Sequence, residues 1–238
     1  NENMPKALAL LGDYINHAKA DNDSYQTAVG LAIKQRNDMK GDQESCYSAL
    51  VNYAEYGAYN PMRNIMSADE MKKADPQQLL ELLKNLGKYT LLYYGATPMR
   101  QVESIVAKNY PCTMTTTLPA ARRYTQTTTK QNEVVLAPYD AKNIYMTQYL
   151  NEGKQWTPDE APVNALFGEY FGGGMNAIVF QELREARGLA YSAGAWLTTP
   201  WRKGDSECFN TYIITQNDKM PECIKEFNNL LNNMPERQ

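Results

Sequence analysis

Apolar positions in the first third of the chain recur at helical spacing. Met4, Ala7, Leu8, Leu11, Tyr14 and Ile15 share one helix face, and Pro5 suits a first turn, where its missing N–H loses no partner. A second helix is expected from about Ser24 to Asn37, with Ala28, Val29, Ala32 and Ile33 inward. A third is built on Ala49, Leu50, Tyr53 and Ala54 and stops at Gly57. Ser67-Ala68-Asp69-Glu70 has the pattern of a capping box, in which serine and glutamate satisfy each other's helix-start N–H groups. Asp75-Pro76 opens a leucine-rich helix that Gly87 can close. Residues 88–94 are aromatic and apolar, which predicts a strand ending at Gly95, and Thr97-Pro98 starts a further helix through about Asn109.

Residues 111–130 differ in kind. They are crowded with threonine, contain Pro111 and Pro119, and carry Arg122-Arg123, the composition of a linker or an extended edge, so a boundary is expected near residue 120. Beyond it the period falls to two. Val134 and Val135 sit in one expected strand, and Ile144, Met146 and Gln148 alternate with Tyr145, Thr147 and Tyr149 in another. Thr157-Pro158-Asp159-Glu160 reads as a second capping box, opening a helix with Val163, Leu166, Phe167, Tyr170 and Phe171 on one side. After the run Gly172-Gly173-Gly174 come a helix to about Arg187 and strands near residues 190–199 and 207–216. Mainly antiparallel strands with helices segregated to one face make an α+β fold.

Composition narrows the function classes. A chain of 238 residues can bury a substantial core, and a formal charge of −3 argues against an electrostatic nucleic-acid binder. No apolar run approaches the roughly 20 residues needed to span a bilayer, and Asn1 to Met4 lack the basic and apolar regions of a signal peptide. Cys46, Cys112, Cys208 and Cys223 are scattered without C-x-x-C spacing, so isolated thiols are expected, and the redox compartment stays open.

Gly172-Gly173-Gly174-Met175-Asn176-Ala177 fits G-x-G-x-x-A, the dinucleotide fingerprint. That motif must leave a strand and open a helix to bring its amides to a pyrophosphate. The segment before it has helical periodicity, so the glycines are expected to make a helix–helix turn by positive φ and close backbone approach. Glu182 and Glu185, beside Arg184 and Arg187, read as a solvated charged helix face and not as an acid–base pair.

The next stretch, Phe180-Gln181-Glu182-Leu183-Arg184-Glu185-Ala186-Arg187-Gly188-Leu189-Ala190-Tyr191-Ser192, together with the glycine run before it, resembles a segment of the pitrilysin/insulinase-type (M16) zinc peptidases. In that family an arginine and a tyrosine seven positions apart reach into the active site; here the pair is Arg184 and Tyr191. A helix ending near Gly188 leaves Arg184 on its last turn and Tyr191 on the following strand, so both can face one site. A tyrosine O–H or a guanidinium aimed at a peptide carbonyl stabilises the negative charge that develops during hydrolysis. The resemblance therefore implies catalytic roles for Arg184 and Tyr191.

The same family binds zinc through H-x-x-E-H and a distant glutamate. Here the single histidine, His17, rules out a two-histidine site within these residues and reads as a surface helix residue. Zinc is thus expected in the N-terminal half of a parent chain or in a partner chain. Asn217 to Cys223 echoes Asn1 to Ala7 in Asn, Met and Pro at an offset of 216, close to the repeat length of the family. On that basis residues 1–118 are the closing half of one M16-like unit and 122–238 the opening half of the next. The implied partners are peptide or unfolded protein substrates and an N-terminal M16 half or catalytic subunit; self-association is also expected. The alternative is a non-catalytic M16-like subunit or peptide-binding scaffold.

Overall fold

The computed structural model describes residues 2–84, 90–109, 124–200 and 204–235, and among these described residues six helices precede the first strand. They are α1 (Met4–His17), α2 (Asn22–Lys40), α3 (Gln43–Tyr56), α4 (Ala68–Lys73), α5 (Pro76–Lys84) and α6 (Met99–Asn109). The chain divides into two compact units, one of Asn1–Asn37 with Met66–Arg122, the other of Asp38–Ile65 with Arg123–Gln238.

Among the described residues of the first unit, every regular element is a helix. Its α1 packs on α5 and α6, and Gly12, Val29 and Val102 are buried. Ser67 Oγ accepts the Glu70 N–H at 3.2 Å while Glu70 Oε2 accepts the Ser67 N–H at 2.7 Å, so the first capping box forms as expected. Two expectations fail here. Ala28 of α2, expected inward with Val29, Ala32 and Ile33, is exposed, as are Leu11 and Tyr14 on the apolar face of α1. Residues 90–94 form no strand, since no strand lies beside them among the described residues of the unit; residues 88–89, Gly87 and the boundary near residue 120 lie outside the described residues.

The second unit is built on a three-stranded antiparallel sheet of β1 (Asn143–Leu150), β2 (Ser192–Thr198) and β3 (Cys208–Gln216), in the order β1-β3-β2. The register sets Met146 and Ala193 opposite Ile213, and Ala195 opposite Thr211, all on one face. That face is covered by α7 (Ala161–Phe171), α8 (Ile178–Phe180) with a π-helical turn that continues it (Gln181–Ala186), and α9 (Met220–Asn232). Phe171, Ile178, Val179, Leu183, Ile213 and Phe227 are fully buried there. Each is worth about 1.5–3 kcal/mol relative to exposure, which locates the stability of this unit in one layer. On the opposite face, Tyr47 of α3 meets Tyr145 edge-on at 5.5 Å and Tyr212 at 6.1 Å, and hydrogen-bonds Thr147.

α1 and α9 open alike, as the echoed sequence suggests. Their N-cap residues Asn3 (φ −87°, ψ −8°) and Lys219 (φ −91°, ψ −15°) share a backbone conformation, with Pro in the first turn of each.

Three local expectations are corrected in this unit. Val134 and Val135 lie in irregular chain, with Val134 and Leu136 82% and 83% exposed. The second capping box does not form: α7 starts at Ala161, and the Glu160 carboxylate pairs with Lys154 at 3.0 Å in place of capping. The glycine run does make a turn between helices, by close approach and not by positive φ. Gly172 has φ −142°, but a Cβ on it would lie 2.3 Å from the Ala195 nitrogen and 2.4 Å from its oxygen. The end of α7 thus presses on β2, where Ala195 N–H donates to the Gly172 carbonyl at 3.4 Å.

Candidate active-site surface

Leu183 fixes one face of the turn that carries Arg184. It is fully buried against the sheet, so its neighbour Arg184 is turned outward and is 45% exposed. The π-helical turn of Gln181–Ala186 is a rare, widened geometry found often at functional sites. It unwinds at Gly188, whose φ of +59° is a left-handed conformation that a side chain resists. The freed carbonyls do not go unpaired: Gly188 N–H donates to Arg184 O at 3.0 Å and Leu189 N–H to Leu183 O at 2.8 Å.

Tyr191 follows at the entrance to β2. Its N–H donates to the Ile214 carbonyl at 2.8 Å, anchoring its backbone to β3, while its side chain is 73% exposed. The two sequence-predicted site residues are brought together. The Arg184 guanidinium carbon lies 5.8 Å from the Tyr191 ring centroid and 4.8 Å from that of Phe180. Aromatic faces on two sides restrict the guanidinium while leaving N–H donors to solvent.

Tertiary tethers hold this helix-to-strand turn. Lys219 Nζ donates to Gly188 O at 3.0 Å, a cation on the carbonyl end of a helix. Thr215 Oγ1 donates to Leu189 O from β3. Arg187 Nη1 donates to Glu182 Oε2 at 2.7 Å, and Arg187 Nε lies 3.5 Å from Glu226 of α9. Glu182 is therefore a tether of Arg187, and Glu185 sits 3.7 Å from the Arg184 Nε. Lys219, Glu226 and the π turn were not legible as site residues, because their partners come from other elements.

The remaining candidates lie elsewhere. His17 is on the exposed side of α1, with its ring nitrogen 2.9 Å from an Asp13 carboxylate oxygen. Cys208 and Cys223 are buried free thiols, and burial pushes Cys223 up to about 11, while Cys46 is half-buried. Cys112 lies outside the described residues.

The sequence family described as "Peptidase M16 inactive domain" matches residues 74–236. The chain belongs to this family. Two curated proteins named "Uncharacterized zinc protease", from Rickettsia felis and Rickettsia bellii, are each 39% identical over 67 residues, 28% of this chain and 16% of theirs. The peptidase M16 inactive domain from Pseudomonas fluorescens shares the fold at TM-score 0.64 and 16% identity, over 97% of this chain and 57% of that one. A protease from Helicobacter pylori superposes at TM-score 0.66 and 11% identity, over 100% of this chain and 59% of its own. The periplasmic protease PqqL from Escherichia coli does so at 0.63 and 12%, over 97% and 25%. The chain thus spans less than two thirds of each of these relatives.

Zinc is the metal these names bring in. Its sites take three or four His, Cys, Asp or Glu ligands about 2 Å from the ion. Among the described residues no group of three such side chains is arranged to hold a metal, and the sequence has one histidine. The described residues do not fit a zinc site. Among the described residues, too, no helix is long and apolar enough to cross a membrane.

Proposed function

We propose that this M16 domain is the non-zinc-binding portion of a zinc-dependent metalloendopeptidase, in which Arg184 and Tyr191 bind the substrate main chain and stabilise the charge developing at its carbonyl. The observation that carries this reading is the exposed Arg184–Tyr191 pair, held side by side on a tethered turn in a member of a peptidase family. Arg184 offers a fixed fork of donors, and Tyr191 an exposed O–H that no described protein group engages. Substrates are peptides or unfolded segments, because an exposed surface of this kind reads an extended main chain. Zinc, when bound in an N-terminal M16 half or a partner subunit, supplies the Lewis acid and the activated water; none of the steps assigned here runs through it.

The description of the family as an inactive domain favours a second reading, a non-catalytic M16-like subunit or scaffold that binds peptides for an active partner. Exposed apolar side chains such as Leu10, Leu92, Val134 and Leu136 suit self-association or cover by another M16 half.

The test is cleavage of an unstructured fluorogenic peptide by the full-length protein, with and without a zinc chelator, for wild type and Arg184→Ala. The metallopeptidase reading expects chelator-sensitive cleavage and a KM raised roughly tenfold or more by the substitution. Peptide binding without cleavage moves the protein to the second reading, and chelator-insensitive cleavage sinks the first.

A further inference from the structure

Arg184 reaches solvent on one side and lies against a ring on the other. Phe180 stands four residues before it, the spacing that brings side chains together along one helix face. The guanidinium carbon is 4.8 Å from the Phe180 ring centroid and farther, 5.8 Å, from that of Tyr191. Both rings attract the cation at these distances, the nearer one more strongly. Glu185 Oε1 lies 3.7 Å from the Arg184 Nε, and among the described residues no group bonds Nη1 or Nη2. The outer end of the guanidinium is thus the part left for a ligand.

The two rings differ in how firmly they are held. Phe180 is half-buried and opens the π-helical turn. It follows Val179, which is fully buried, and precedes Gln181, which is bonded twice. The Gln181 N–H donates to Ala177 O at 3.0 Å, and its side-chain amide donates to Met175 O at 2.6 Å. Tyr191, by contrast, is 73% exposed. A ring whose backbone is fixed on both sides is a steady platform, whereas an exposed ring moves with its own torsions. A long arginine side chain loses rotamer freedom when it binds a ligand, and a contact that narrows its rotamers beforehand reduces that loss.

We propose that Phe180 is a positioning residue for Arg184. Its ring holds the guanidinium in the orientation that receives the substrate main chain, and this leaves the Tyr191 hydroxyl to the carbonyl. The inference rests on the peptide-binding reading above and adds to it a residue that acts on the substrate only through Arg184.

The experiment is a double-substitution cycle on the full-length protein: wild type, Phe180→Leu, Arg184→Ala and the two together. KM and kcat are read with the fluorogenic peptide. If the protein binds without cleaving, the Kd of the same peptide by fluorescence anisotropy takes the place of KM. Phe180→Leu is expected to raise KM roughly three- to fivefold, the effect of one exposed cation–π contact, with kcat within about twofold. In the Arg184→Ala protein the same substitution is expected to change KM by less than about 1.5-fold, since no guanidinium is left to place. Phe180→Tyr keeps the ring and should stay within about 1.5-fold of wild type. Damage to the fold alone would lower kcat through loss of active protein and leave KM in place. Phe180→Met, of similar size without a ring, repeats the test should leucine unfold the turn. An equal effect of Phe180→Leu with and without Arg184 overturns the proposal, because Phe180 then acts on the peptide by itself. A KM unchanged by both Phe180→Leu and Phe180→Met overturns it too, as does a loss that Phe180→Tyr fails to rescue. A wild type that neither cleaves nor binds the peptide removes the peptide-binding reading, and the positioning role with it.

Discussion

Arg184 and Tyr191 meet because a glycine lies between them and the residue just before the pair is buried. Leu183 fixes the helix face, Gly188 turns the chain, and the backbone of Tyr191 locks onto β3. The spacing of that pair and the helix end at Gly188 were legible in the sequence. The cation–π contacts were not, since they depend on a widened helical turn that no sequence period announces. The half-burial of Glu55 in α3 escaped notice for the same kind of reason: a glutamate near the end of a helix reads as solvated until the sheet beneath it is known. Burial raises its folded-state carboxyl above the unfolded value, so the folded state favours the proton. Above both values the ionised group is a cost to folding; the cost disappears as pH falls through the raised folded value toward the unfolded one. Glu55→Gln is therefore expected to raise the melting temperature at pH 7 and to leave it near that of wild type at about pH 4, where both states are largely protonated. Thermal unfolding followed by circular dichroism across that range checks it, and a larger gain at low pH than at neutral pH would contradict it.

At the scale of elements, helices were read best and isolated strands worst. A helix satisfies its own backbone, so apolar spacing and caps such as Ser67 with Glu70 suffice to place it. A strand needs a neighbour. Residues 90–94 and Val134-Val135 have the composition but are not paired in a described sheet, whereas β1 is paired along its length with β3. The glycine run shows how a motif can be right in location and different in cause. Gly172 is required by the backbone of Ala195 beside it, so Gly172→Ala is expected to destabilise the second unit by about 1–3 kcal/mol or more, lowering its melting temperature by several degrees. An unchanged melting curve would mean that α7 does not press on β2.

The junction of α9 with the Arg184–Tyr191 turn makes a different prediction. Lys219 is half-buried and acts through the Gly188 carbonyl, so it is a positioning residue. Lys219→Met should cost little stability yet lower kcat roughly 10- to 100-fold at nearly constant KM, with Lys219→Arg restoring most of it. A variant with unaltered kcat would show that the turn holds its shape without this tether.

For the whole molecule, the helical first unit and the sheet-based second unit make an α+β chain of the M16 inactive-domain family. What the sequence carried at this scale was the resemblance around Arg184 and Tyr191 and the lack of a second histidine. The division into units was harder to read, because residues 38–65 precede the threonine-rich segment in the chain yet cluster with the sheet that follows it. That arrangement comes from α3 lying on the second face of the sheet, where Tyr47 meets Tyr145 and Tyr212, a pairing between elements that sequence periodicity does not show.

The central claim is that Tyr191 faces the reacting carbonyl of a peptide. The direct measurement is turnover of a fluorogenic peptide by the full-length protein, wild type against Tyr191→Phe. The substitution removes one hydroxyl from an exposed ring, so folding is retained. Loss of one donor to a developing oxyanion should slow kcat by roughly 100- to 1,000-fold. A wild type that turns over while Tyr191→Phe matches its rate would contradict the account and leave Tyr191 a packing partner of Arg184.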